Sequence, residues 1–508
     1  MNNAADPVGD GQQAEWADCL QDDRLREECG VFAVFGADDA SVITALGLHA
    51  LQHRGQEGCG IVSYDADGFH MERHIGLVGE NFAAKSATPL QKRLPGRIAI
   101  GHTRYATQGG RVIRNVQPLF ADLSSGGFAI GHNGNLTNAR AVREHLVENG
   151  AIFQSTSDTE CILQLVARSR RARVIDRFID ALGQIEGAYA LVCLTNNTLL
   201  AARDPVGIRP LVLGDLHGAP VLASETCALD LIGAQFVRAI DNGEVIAITF
   251  GADGNPKIES QKPFRPQPCR PCVFEYVYFA RPDSLIDGRS VYDVRKRMGQ
   301  RLARETGIEV DVIVPVPDSG VPAALGYAIE SGRPYEMGII RSHYVGRTFI
   351  QPKQAARESG VMMKHAANRA VLKGKRVLLV DDSIVRGTTS KQIVQLIREA
   401  GATEVHFRSA SPMILWGDYY GIDMPERDQL LAYKHGGDGE AMAKVLGADS
   451  VGFLSVEGLY WAMGVEQRDA DQPQFADHCF TGQYPTRLMD HDADKAAKDL
   501  QLSFLIDA

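Results

Sequence analysis

Residues 377–390, VLLVDDSIVRGTTS, constrain the fold more than any other run in the chain. Four branched aliphatic residues end abruptly in two acids. A turn rich in hydroxyls and glycine follows, and then an apolar-periodic segment, KQIVQLIREAG. That order predicts strand, loop, helix. VLLV has no polar alternation, so it predicts a central parallel strand buried on both faces. Open α/β sheets bind ligands at the carboxyl ends of such strands. The loop from Ser383 to Ser390 opens the helix, whose first N–H groups lack intrahelical partners and favour a phosphate. Thr388, Thr389 and Ser390 add hydroxyl donors, and Gly387 lets the backbone approach the anion. Asp381 and Asp382 set two carboxylates beside that pocket, suited to sugar hydroxyls or a hard divalent cation.

A second loop predicts a second wall. VDVIVPVPDSGVPAALGYA again reads strand, turn and helix, with Asp318, Ser319 and Gly320 at the turn. Such a turn can wrap a pyrophosphate with backbone N–H groups. Between the two loops lies RSHYVGRTFIQPKQAARESG, rich in Arg, Gly and Gln and poor in core-forming residues. It reads as a basic flap that closes over a polyanion. Arg341 and Arg347, with Lys364 just beyond, are its candidate anion-binding cations.

The chain of 508 residues is too long for one core, so at least two domains are expected. The texture changes along it accordingly. Short strand-like runs (VFAVFG, RIAIGHTRY, GFAIGHNGN, AYALVCL) dominate the first half, with helices expected near 40–52 and 157–169. This is an α+β pattern with antiparallel sheets. A Pro-, Lys- and Arg-rich stretch near 257–271 reads as a linker, and after it helix and strand alternate, as in a parallel α/β sheet. The formal net charge of -10 argues against a general nucleic-acid binder. No apolar run approaches a membrane span. Nine cysteines, odd in number and scattered, point to reduced thiols and a cytoplasmic setting. Residues 1–28 are polar and acid-rich without an apolar stretch, which predicts a disordered or removable leader and not a secretory signal.

Cys29-Gly30 begins the patterned region directly after that leader. A cysteine at a free amino terminus carries its own base, because an α-amine titrates near neutrality. Four downstream fragments accompany it. LQHRGQEGCGI holds Arg54 and Gln56 in a Gly-punctuated turn. GHTRYATQGG places Arg104, a candidate fork for a substrate α-carboxylate. GHNGNLTN offers the Asn133 amide and the Gly134 N–H, suited to an oxyanion hole. STSDTE puts Asp158 at a helix start, where it could bind an α-ammonium group. Cys59 reads as a small core filler and not as a second nucleophile.

In this order the fragments resemble the N-terminal nucleophile glutaminase domain of class II glutamine amidotransferases. VLLVDDSIVRGTTS resembles the phosphoribosyl-pyrophosphate signature of type I phosphoribosyltransferases. Together with FARPDS, YVGRTFIQP, YGIDMP, LSVEGL and CFTGQYPT, the chain from Cys29 to about Pro485 is similar to the glutamine phosphoribosylpyrophosphate amidotransferase family. The resemblance implies a propeptide over 1–28 and a four-layer αββα glutaminase domain over 29–258. A linker (259–274), an α/β phosphoribosyltransferase domain with a mostly parallel sheet (275–465) and an extension (466–508) follow. It implies that Cys29 is the nucleophile, freed by removal of the leader, with Asn133 and Gly134 as oxyanion donors and Arg104 and Asp158 holding glutamine. Asp318, Arg341, Arg347, Lys364 and the run Asp381, Asp382, Ser383, Arg386, Gly387, Thr388, Thr389 and Ser390 are implied to bind phosphoribosyl pyrophosphate. Ser319, Asp381 and Asp382 match the Mg²⁺ positions. The implied reaction is first in purine synthesis: ammonia from glutamine crosses an internal channel and displaces pyrophosphate from C1 of the ribose. Purine nucleotides are implied inhibitors, and the assembly a homodimer or homotetramer.

The chain also departs from that pattern. Members with such a leader often hold a [4Fe–4S] cluster on four cysteines. Cys272 matches the first, but the others fall at Asp418, Pro473 and Ala476, so no cluster is expected. Met362 stands where a cation is usual near the pyrophosphate. Two other readings remain open at this level: a class II amidotransferase with another acceptor, and a non-catalytic nucleotide-binding homologue. Sugar isomerase domains lack the phosphate loop, which weighs against the first. The complete glutaminase set weighs against the second.

Overall fold

Strand Gly30–Phe35 is buried along its whole length, because it lies inside a sheet covered on both faces. It pairs antiparallel with Ala219–Ala223 on one side and Ile98–Arg104 on the other. The full seven-stranded order is Gln235–Ala239, Val212–Leu216, Ala219–Ala223, Gly30–Phe35, Ile98–Arg104, Gly58–Asp65, Gly68–Ile75. A second antiparallel sheet has six strands, in the order Pro256–Gln261, Val245–Phe250, Thr198–Arg203, Gly187–Thr195, Gly126–Leu136, Leu119–Leu123. This computed structural model describes residues 29–82, 88–105, 112–341 and 365–492. The expected leader, 1–28, and Arg347, Met362 and Lys364 of the basic stretch lie outside the described residues.

Alternate residues divide the packing. Val31, Ala33 and Phe35 join Ile98 and Ile100 against Ala129, Ala190, Val192 and Ile246 of the second sheet. Phe32 and Val34 turn the other way, onto a cluster with Leu48 of helix Ala40–Ala50 and Leu229 of helix Thr226–Ile232. Beyond the second sheet, Ile130, Leu191 and Cys193 pack with Ile162 and Val166 of helix Thr159–Arg168 and Phe178 of helix Val174–Leu182. The layers run helix, sheet, sheet, helix, which is the αββα sandwich that the resemblance implied. Helices Ala139–Glu148 and Val174–Leu182 are among those that interrupt the strand-rich texture where none was expected. Ala139–Glu148 buries only Leu146, so its apolar periodicity is faint. Val174–Leu182 buries Ile175, Phe178, Ala181 and Leu182, a helical spacing present in the sequence.

The phosphate-loop half builds a four-stranded parallel sheet in the order Val312–Pro315, Arg376–Asp381, Glu404–Ser409, Ser450–Phe453. Val377, Leu378, Leu379 and Val380 are all fully buried, as the uniform aliphatic run required. Val377 and Leu379 pack with Val312, Val314, Val405 and Phe407 and with Ile393 and Ile397 of helix Thr388–Glu399. Helix Gly439–Leu446 adds Met442 and Leu446 to the same cluster.

The chain divides into two compact units. One holds residues 29–294, 416–424 and 467–492; the other holds 295–341, 365–415 and 425–466. The Pro- and Lys-rich stretch begins as an edge strand, Pro256–Gln261. Its residues 257–260 are exposed, so it shows no apolar alternation.

Candidate active sites

Cys29 sits at the mouth of strand Gly30–Phe35. Gly30 lies opposite Thr103, which aims Cys29 at the residues ending the neighbouring strand, Arg104 and Tyr105. The Cys29 Sγ donates to the Tyr105 carbonyl at 3.8 Å, and the thiol is half-buried. Arg104 itself is buried, at 5% exposure. Asn133 comes from the second sheet and is wholly buried. Ser224 joins the two sheets there: the Val31 N–H donates to Ser224 Oγ at 3.0 Å, and Asn133 Nδ2 donates to the same oxygen at 3.5 Å. The Asn133 Oδ1 has no hydrogen-bond partner among the described residues.

Gly134 follows with φ +134, and a Cβ there would stand 2.1 Å from the Ala188 carbonyl oxygen, so only glycine fits. Two residues on, the Leu136 N–H donates to Asp158 Oδ2 at 3.0 Å. The other carboxylate oxygen of Asp158 accepts from the Thr159 N–H at 2.8 Å and caps helix Thr159–Arg168. His102 ties the sheets together behind these groups, with Nε2 3.0 Å from the His132 carbonyl. Burial pulls its pKa down to about 3, so it is the neutral imidazole that donates. Cys29, Arg104, Asn133, Gly134 and Asp158 thus belong to one end of the sandwich.

Arg54 has a different place from the one its turn suggested. It is fully buried and pairs with Glu225 and Glu275, so it is not offered to a ligand. Glu225 also accepts from His53 Nε2 at 2.7 Å, Ser284 Oγ at 2.7 Å and the Arg281 N–H at 2.9 Å. Burial opposes the Glu225 charge, but His53 and Arg54 overcome it and hold the carboxyl well below the usual range. Replacing Arg54 with methionine strands two buried carboxylates, so we expect about 3–5 kcal/mol of lost stability in denaturant unfolding. The sign of the pH dependence follows from the lowered pKa. Glu225 contributes stability above the unfolded value near pH 4.3, and this contribution is lost as pH falls through the folded value. Cys59 is likewise a packed thiol, fully buried and pushed up to about 12 by burial.

In the parallel sheet the two candidate loops meet. The 318–320 turn and the Asp381–Asp382 pair leave the carboxyl ends of neighbouring strands, where the Val316 N–H donates to the Val380 carbonyl at 2.9 Å. A Cβ on Gly320 would stand 2.5 Å from the Val380 oxygen and 3.2 Å from Asp381 Cα, so this close approach needs glycine. Asp381 and Asp382 are 8% and 7% exposed. The Asp382 N–H donates to Asp381 Oδ1 at 2.9 Å, and Ser383 Oγ donates to Asp382 Oδ1 at 2.5 Å. Gly387 takes a left-handed φ of 83° and starts helix Thr388–Glu399. Thr388 is exposed, whereas Thr389 and Ser390 are turned inward. Arg386 Nε donates to Gln429 Oε1 at 3.3 Å.

Arg341 pairs with Asp318, and both side chains are open to solvent. An exposed pair of this kind is weakly held, so a polyanion can exchange with it. Arg341 lies opposite His365 in a short antiparallel pair.

A further cluster surrounds Asp418. Ligand atoms of Asp418, His478 and Cys479 lie within 4.8 Å of one another, and Cys272 forms a bridge with Ala476. Asp418 Oδ2 is 2.7 Å from His478 Nε2, a hydrogen-bond distance, and both side chains are fully buried. Asp418 Oδ1 accepts from the N–H groups of Tyr420 and Ile422 at 2.7 and 2.9 Å. Burial raises the Cys479 thiol well above its usual range, and the Asp418 charge adds to that.

The comparisons with known proteins follow the same division. Residues 102–231 match the glutamine amidotransferase domain, and residues 283–410 match the phosphoribosyl transferase domain. An amidophosphoribosyltransferase of Rhizobium etli is 59% identical over 96% of this chain and 97% of that protein. One from Bacillus subtilis is 46% identical over 91% of this chain and 95% of its own length. Among solved structures, the B. subtilis glutamine phosphoribosylpyrophosphate amidotransferase complexed with ADP and GMP superposes with a TM-score of 0.84. It is 45% identical and covers 91% of this chain and 98% of its own. Near-complete coverage in both directions joins the two halves into one enzyme, and the chain belongs to the amidophosphoribosyltransferase family.

Proposed function

We propose that Cys29, once amino-terminal, cleaves glutamine, and that the parallel-sheet site spends the ammonia on phosphoribosyl pyrophosphate. The overall reaction converts glutamine, 5-phosphoribosyl 1-diphosphate and water to 5-phosphoribosylamine, glutamate and diphosphate. The observation that carries the assignment is the presence of both sites in one chain that aligns end to end with the R. etli enzyme.

In the glutaminase half, the α-amine of Cys29 takes the thiol proton and the sulfur attacks the glutamine carboxamide carbon. The Asn133 amide and the Gly134 N–H hold the oxyanion. The thioester forms as ammonia leaves, and water then releases glutamate. Arg104 and Asp158 grip the α-carboxylate and α-ammonium groups of the substrate. The fixed position of Asn133 beside Ser224 supports this role. Removing one oxyanion donor typically costs about 10²–10³-fold in kcat. We expect that loss for Asn133→Ala in glutamate release, with ammonia-dependent synthesis kept.

In the second half, the loop from Ser383 to Ser390 receives the 5'-phosphate at the start of helix Thr388–Glu399. Asp381 and Asp382 orient the ribose hydroxyls, and Asp318, Arg341, Arg347 and Lys364 are the proposed binding residues of the pyrophosphate. Ser319, Asp381 and Asp382 form an oxygen-only donor set that suits Mg²⁺. These residues would hold Mg²⁺, which would supply positive charge to the departing pyrophosphate.

A [4Fe–4S] cluster does not fit the residues at its expected place. The Asp418 carboxylate is engaged with His478, Tyr420 and Ile422, and Ala476 offers no donor beside Cys272. Purine nucleotides are the proposed inhibitors, in line with the ADP and GMP of the B. subtilis neighbour. A homodimer or homotetramer and a cytoplasmic setting complete the reading. No described helix is long and apolar enough to cross a membrane.

The test is to incubate the purified protein with glutamine, phosphoribosyl pyrophosphate and Mg²⁺ and follow glutamate and pyrophosphate together. Equal release of the two is expected. Glutamate release indifferent to phosphoribosyl pyrophosphate would instead indicate another acceptor.

A further inference from the structure

Residues Trp416–Met424 are flanked in sequence by the phosphoribosyltransferase unit, yet they belong to the glutaminase unit. They lie against the strand that carries Asn133 and Gly134. Asn135 Nδ2 donates to the Tyr419 carbonyl at 3.0 Å. Gly421 has φ +120, and a Cβ there would stand 3.2, 3.3 and 3.4 Å from the C, Cα and O atoms of Gly134. On its other side Gly134 meets the Ala188 backbone. Gly134 thus lies close to the backbone of Ala188 and of Gly421, with the His132 imidazole also beside it. The segment is itself fixed. Buried Arg209 donates to the Tyr420 carbonyl through Nε at 3.1 Å and Nη2 at 2.8 Å. The Asp418 carboxylate holds the N–H groups of Tyr420 and Ile422 and pairs with His478.

We propose that Trp416–Met424 is a positioning element of the oxyanion pocket. The Tyr419 carbonyl and the Gly421 backbone set the orientation of the Gly134 peptide without touching glutamine. This rests on the oxyanion role proposed for Asn133 and Gly134. The pattern of anchors explains why a nine-residue excursion carries a left-handed glycine, a buried acid and a carbonyl aimed at Asn135.

Two variants test it in the full-length mature enzyme. Gly421→Ala crowds Gly134, and Asn135→Ala removes the tether without crowding. Both should lower kcat for glutamine-dependent synthesis, Gly421→Ala by about 10–100-fold, since small misplacements of a reacting group cost that much. KM for glutamine and ammonia-dependent synthesis should change little. The aldehyde analogue of glutamine gives a readout that mere destabilisation does not move. The Cys29 thiol adds across its carbonyl to form a hemithioacetal whose oxygen occupies the oxyanion position. Its affinity should fall in step with kcat, while affinity for glutamate holds. Wild-type kcat and aldehyde affinity in both variants would overturn the proposal. So would a parallel loss of glutamine- and ammonia-dependent activity in Asn135→Ala. A wild-type enzyme that releases no glutamate would sink the oxyanion role itself, a result distinct from either variant pattern.

Discussion

Replacing Cys29 with alanine should abolish glutamine-dependent synthesis, by about 10⁴-fold or more, and leave synthesis from added ammonia intact. The magnitude is that of deleting a covalent nucleophile, since the remaining groups cannot form the thioester. The selectivity follows from the division of the chain. Cys29 directly precedes strand Gly30–Phe35 of the glutaminase sandwich, and its Sγ donates to the Tyr105 carbonyl. Alanine removes one sulfur atom from a half-buried position, so the fold should survive with an unchanged melting temperature. The check is a steady-state assay with each nitrogen donor in turn. Loss of both activities together would mean that Cys29 holds the fold and does not merely donate its sulfur.

The second large effect lies at the other site and has the opposite signature. Asp381→Asn with Asp382→Asn should stop synthesis from glutamine and ammonia alike, while glutamate release from glutamine continues. Both carboxylates stand buried at the end of strand Arg376–Asp381, beside the close approach of Gly320. Asparagine keeps their volume but not their charge, and it ligates Mg²⁺ poorly. Charge stabilisation by such a site is worth several kcal/mol, which corresponds to about a 10³-fold loss in rate. The measurement is pyrophosphate release at saturating phosphoribosyl pyrophosphate, with thermal unfolding as the control. A double variant that still turned over with ammonia would place the pentose chemistry elsewhere.

The reasons some features were legible in the sequence are physical. VLLV announced a strand buried on both faces because a solvated face would have required polar alternation, and all four residues are fully buried. The hydroxyl-rich turn announced a helix start, and the left-handed Gly387 stands directly before its first residue, Thr388. Arg104, Asn133 and Asp158 come near Cys29 because strand 30–35 begins where strand 98–104 ends, Ser224 links Val31 to Asn133, and Asp158 accepts from Leu136 of strand 126–136. Arg54 misled because its partners, Glu225 and Glu275, lie far along the chain, and a charge in a Gly-rich turn looks solvated until they are known. The pairing of Asp418 with His478 was not legible for the same reason: only the fold brings His478 and Cys479 to Asp418. The excursion of Trp416–Met424 into the glutaminase unit has no local signature, since nothing in WGDYYGIDM states which core it joins.

The central claim is that nitrogen freed at Cys29 ends on C1 of the pentose in the same polypeptide. Glutamine labelled with ¹⁵N at the amide tests it most directly, with mass analysis of the phosphoribosylamine trapped as it forms. The account predicts ¹⁵N in the product from the wild-type enzyme and none from Cys29→Ala. Unlabelled product from the wild type, or labelled product from the variant, would contradict it.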